Sequence, residues 1–119
     1  MNSQLMKLPI GAILLSFSIA ACTTMSQPPN ALLSDVESEI KMAQSVGARD
    51  AAPVSYRSAT ENLKSAKKAI ENHEFEEARI LLEKSLADAE YAAAKARSEQ
   101  AQSASNQVNE NLEALKKAL

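Results

Sequence analysis

Cysteine, glycine, tryptophan and histidine are almost missing from this chain, and each shortage excludes something. Its 119 residues contain one cysteine, Cys22, so no intramolecular disulfide framework can form. Glycine occurs only at Gly11 and Gly47, which removes any glycine-rich phosphate loop. There is no tryptophan, and after Cys22 the aromatic residues are Tyr56, Phe75 and Tyr91, too few for a thick core. The lone histidine, His73, stands beside Glu71, Glu74, Glu76 and Glu77. One nitrogen donor among carboxylates scattered around a helix end makes a poor zinc site, so a solvent-exposed turn histidine is the expectation. A basic surplus is missing too. After Cys22, twelve Lys and Arg stand against fifteen Asp and Glu, which leaves nothing to neutralise phosphates and argues against nucleic acid as a partner.

The usual marks of catalysis are equally scarce. Glu76 with Glu77, and Glu37 with Glu39, are near neighbours that point to different helix faces, unlike the facing carboxylates of a glycosidase. Cys22 lies far from His73 in sequence, so a Cys/His nucleophile pair has no support. The expectation is a chain that is not an enzyme, with no catalytic residues, no metal ligands and no cofactor.

What is abundant is alanine: nineteen follow Cys22, among Glu, Lys, Ser, Leu and Gln. This helix-forming composition with small side chains favours long, closely approaching helices. Leu33, Val36, Ile40 and Ala43 fall three and four apart, one face of an amphipathic helix over about 31–47, with Asn30 or a Ser34/Glu37 box as its cap. "GARDAA" reads as a loop. Pro53 suits a helix start, and Ala59, Leu63, Ala66 and Ile70 form the stripe of a second helix over about 54–72. In the third segment Phe75, Ala78, Leu82, Ser85 or Leu86, Ala89, Ala92 and Ala96 keep a seven-residue rhythm, which Val108, Leu112, Leu115 and Leu119 resume. With no glycine or proline after Pro53, one helix over about 75–118 would be some 65 Å long at 1.5 Å per residue, about twice its neighbour's length. The fold class expected is all-α, a three-helix, alanine-rich hairpin or bundle with a long C-terminal helix. Tyr56 and Tyr91 are expected to pack across the hairpin. The end of the long helix has little to pack on in this chain, so Val108, Leu112 and Leu115 are a candidate interaction surface for another chain or for self-association.

The first residues carry one positive charge and then the apolar run "LPIGAILLSFSIAA", too short and too interrupted to span a bilayer, in the layout of a secretory signal. Ile19, Ala20, Ala21 and Cys22 resemble the lipobox of bacterial lipoproteins. That resemblance implies a signal peptide over 1–21, cleavage between Ala21 and Cys22, and lipidation of Cys22. Each buried lipid CH₂ contributes about 0.8 kcal/mol, so two or more chains hold a domain at a membrane surface. Residues 22–30 read as a tether, stiffened by Pro28 and Pro29, ahead of a helical domain over 31–119. The residue after the cysteine is Thr23 and not an aspartate, which by the same resemblance implies the outer membrane, facing the periplasm.

The stretches "AAPVSY", "EFEEAR" and "LADAEYAAAKA" supply Ala52, Pro53, Tyr56, Phe75, Ala78, Ala87, Ala89 and Ala92 to Ala94, and Ala59, Leu63 and Ala66 lie between the first two. On these residues the chain from about Leu33 to Ala96 resembles the bacterial envelope family named domain of unknown function 4398. The resemblance implies a helical hairpin in a lipoprotein and supplies no activity. Relatives commonly have Gly-Asp where this chain has His73 and Glu74. Two alternatives accompany the reading of a structural or protein-interaction module: a peptidoglycan-associated protein, and a tetratricopeptide-like accessory that binds peptides, suggested by "EEA" followed by "LLEKSL".

Overall fold

The computed structural model describes residues 27–119. Residues 1–26 lie outside the described residues, and with them the expected signal segment, Ala21, Cys22 and most of the tether. The described chain is helical throughout: α1 Asn30–Ser45, α2 Ala48–Ala51, α3 Pro53–Glu71 and α4 Phe75–Ala118. The all-α hairpin with a long C-terminal helix is therefore observed, with one helix more than expected.

The additional helix occupies the segment read as a loop. Gly47 adopts φ 81°, a left-handed conformation that ends α1, and nothing lies within 4 Å of where a Cβ would be. Glycine is needed there for its backbone freedom and not for space. Its carbonyl then accepts from the Asp50 and Ala51 amides at 3.1 and 3.2 Å, closing one turn that buries Ala48 completely. Neither expected cap starts α1. Pro29 precedes it, no side chain caps it, and the Pro29 carbonyl accepts from Leu33 N–H at 2.9 Å.

The turn between α3 and α4 is a Schellman motif. Glu74 N–H reaches back to the Ala69 carbonyl at 2.8 Å and His73 N–H to Ile70 at 3.0 Å. That closure requires a left-handed residue past the helix end, and His73 takes it with φ 62°. The ring of His73 meets Phe75 edge-on, centroids 5.7 Å apart. The turn is thus tight without glycine.

Helices α3 and α4 run antiparallel, and alanine decides how closely. Ala59, Ala66, Ala78, Ala89, Ala92 and Ala93 are fully or almost fully buried along the contact, while Leu82 and Val36 are the largest fully buried apolar residues. Short side chains let the backbones come near enough for Ser85 Oγ, completely buried, to donate to the Ala59 carbonyl of α3 at 2.6 Å. Ser58 Oγ donates to Asp88 at 2.6 Å on the flank of the same contact. Helix α1 lies along α4 in the same direction, with Arg97 donating to Met42 Sδ at 2.9 Å and Gln100 to the Val46 carbonyl at 3.1 Å. A Lys67–Glu37 ion pair joins α1 to α3. Leu33 and Ile70, expected in the stripes, are only half-buried; Ala48 and Ala69 take the deeper positions.

Candidate interaction surface

The partners of α4 end well before α4 does. Its last hydrogen bonds to α1 and to the cap residue Val46 come from Arg97 and Gln100, and Ser103 lines the shallow cleft where the α1–α2 corner meets it. From Ala101 to Leu119 every residue is exposed although the helix continues to Ala118. Length explains this. At 1.5 Å per residue α4 extends about 66 Å, whereas the 19 residues of α3 cover less than half of it.

The three residues expected as an interaction surface lie on this overhang. Val108, Leu112 and Leu115 are 57, 49 and 58 % exposed, and Leu119 follows at the C-cap. Contrary to the expectation from the sequence, they do not resume the hairpin's rhythm. Extending the spacing of Leu82, Ala89 and Ala96 into the tail leads to Ser103, Glu110 and Lys117, all polar and exposed. Val108 is twelve positions beyond Ala96, which at about 100° per residue turns it roughly 120° away from the buried face. The tail stripe is a separate face of the same helix.

Tyrosines divide accordingly. Tyr56 is buried, its hydroxyl donating to Gln44 at 3.3 Å and its ring 5.5 Å from the Arg49 guanidinium. Tyr91, expected to pack across the hairpin, is instead 60 % exposed, because Ala89, Ala92 and Ala93 occupy the contact face. It borders a small notch with Pro53 and Val54.

Elsewhere the described residues offer little chemistry. The cleft at the α1–α2 corner, about 440 Å³, has two carboxylates in its lining, Asp50 and Glu99, and no histidine, cysteine or lysine. Among the described residues no three His, Cys, Asp or Glu side chains gather as metal ligands. No described helix is long and apolar enough to cross a membrane. Glu37 has its carboxyl held below the usual range by its hydrogen bond and charge pairing with Lys67. Cys22 and Ala21, the expected lipidation and cleavage residues, fall outside the described residues.

The model of one protein family, described as a domain of unknown function (DUF4398), matches residues 31–108, from the start of α1 to the first residue of the tail stripe. No curated protein and no solved structure matches the chain.

Proposed function

The chain belongs to the DUF4398 family, and on that premise we propose that it is a lipid-anchored helical lipoprotein of the bacterial envelope, attached through Cys22 to the outer membrane on its periplasmic side, whose compact hairpin holds a protruding helix available to a protein partner. The observation that carries the interaction role is the overhang: a helix continued for nearly twenty residues beyond its own partners, with Val108, Leu112 and Leu115 exposed along it. A solvated helix has no need of such a row, and apolar side chains in line on one face are what a helical partner covers. The anchor rests on the lipobox-like Ile19 to Cys22 and on the single thiol.

Two experiments test the two halves. Cys22→Ser should release the protein from the membrane fraction; a variant that still sediments with membranes in the absence of detergent, with its signal retained, contradicts the anchor. A photoreactive residue at Leu112 should give protein adducts in intact cells and one at Glu110, on another face, should not. Equal labelling from both positions, or none from either, contradicts the interaction role.

A further inference from the structure

All six large apolar side chains exposed along α4 and its cap, Ile80, Tyr91, Val108, Leu112, Leu115 and Leu119, fall on one seven-residue register. Tyr91, Leu112 and Leu119 differ by multiples of seven, as do Ile80, Val108 and Leu115, and the two sets interlock at spacings of three and four. Those are the a and d positions of a coiled coil. Between Tyr91 and Val108 the register passes through Ala94, Ser98, Ala101 and Ser105, small and exposed. The hairpin uses different positions of the same repeat, those of Ala78, Leu82, Ser85, Ala89, Ala92 and Ala96. Helix α4 therefore carries two seams that share no residue, one covered by α3 and α1 and one uncovered.

We infer that the uncovered seam, Tyr91 to Leu119, pairs with the same seam of a second copy of this chain, parallel and in register. This rests on the reading of the overhang as an interaction surface and names its occupant. The seam runs for about four heptads, roughly 42 Å, which is the length at which an a/d pattern specifies a coiled coil. Four consecutive small residues bring the helices close, and a second copy is small at the same four levels. A foreign helix with ordinary leucines there would be held away.

Charge selects the orientation. In the parallel pair Glu90 flanks the seam opposite Lys95 of the second copy, twice by symmetry, and farther along the flanking residues are Arg97, Gln102, Ala104, Asn109, Asn111 and Lys116, with no acidic residue and no like-charge match. An antiparallel pair along the same residues would set Lys95 against Lys116 at both ends. Pairing stops above Tyr91 because, one seam position past Ala87, Lys84 occupies the seam and would face its own copy, with Glu83 set against Asp88 beside it. Lys95 reaches Glu99 at 3.0 Å within the chain, an exposed contact that is easily exchanged.

The test uses the full chain in its own membrane with single added cysteines, the parent chain serving as the reference for Cys22. Ser98→Cys and Ser105→Cys replace small exposed seam residues, so the hairpin is undisturbed; Ser103→Cys lies on the opposite face. Under mild oxidation both seam variants should form a disulfide-linked dimer several-fold more than Ser103→Cys, and adding Leu112→Lys to Ser98→Cys should lower that yield several-fold. Since one residue meets itself at two different levels only in a parallel pair, a dimer at one seam position alone overturns the inference, as do equal yields at all three positions or dimers at none. Dimers found in the soluble fraction would support the pairing while contradicting the anchor. Mixed disulfides with another protein and no dimer would overturn self-pairing while keeping the broader interaction role.

Discussion

At the scale of single residues, the fold depends on a few positions where local chemistry and packing disagree. His73 adopts a left-handed conformation that costs a residue with a Cβ about 1 kcal/mol, and its edge contact with Phe75 offsets part of that. His73→Gly should therefore leave stability unchanged or raise it by up to about 1 kcal/mol, whereas β-branched His73→Val should lower it by more than about 1 kcal/mol. Chemical denaturation of the three proteins checks the order. Ser85 is polar in the most crowded part of the contact. Ser85→Ala removes one hydrogen bond to a carbonyl that keeps its own helical donor, a loss of roughly 1 kcal/mol, while Ser85→Leu must push α3 and α4 apart and should cost about 1–3 kcal/mol or more. Lys67 stabilises the charged form of Glu37, whose folded-state pKa is thereby lowered. That contribution is complete above the ordinary glutamate range and is lost as the pH falls through the lowered folded value. Since both groups are exposed, the acid-side loss should be small, reduced by salt and absent in Glu37→Gln, as read from denaturation midpoints against pH.

At the scale of elements, the helices were legible where apolar residues recur at 3.6-residue spacing and obscure where backbone geometry decides. Helix α4 begins and ends as its pattern requires, and α1 and α3 start and stop within two residues of expectation. Helix α2 escaped because four residues carry no periodicity; only the left-handed Gly47 and burial of Ala48 create it. The seam on α4 was half legible. Val108, Leu112 and Leu115 stood out as large residues in a polar stretch, but their register was masked by the alanines and serines between Tyr91 and Val108, which belong by position and not by hydrophobicity. Tyr91 reads from the sequence as a hairpin residue, and only the packing of Ala89, Ala92 and Ala93 into the contact leaves it on the outer face. Because α4 beyond Ser103 is exposed throughout and supports nothing among the described residues, truncation there should leave the hairpin's melting temperature at low protein concentration unaltered. The rise in melting temperature with concentration that self-pairing produces should disappear. Ala89→Leu, by contrast, should lower it several degrees by overpacking the α3 contact.

At the scale of the whole molecule, the division of labour along α4 is the central claim: a thin alanine-packed hairpin fixes one half, and the other half reaches beyond it with a face made for a copy of itself. Composition made the fold class readable, since abundance of alanine and scarcity of glycine are visible in the chain itself. The proposed address in the envelope rests on the residues around Cys22, and the proposed partner rests on exposure, which no spacing rule reports until the hairpin is in place. Sedimentation equilibrium of the detergent-solubilised full chain and of its Leu112→Glu, Leu115→Glu variant tests this most directly. The account predicts a mass of at least two chains for the unaltered protein and of one chain for the variant, with the same hairpin melting temperature for both at low concentration. A single-chain mass for the unaltered protein at all concentrations, or an assembly that survives both substitutions, would contradict it.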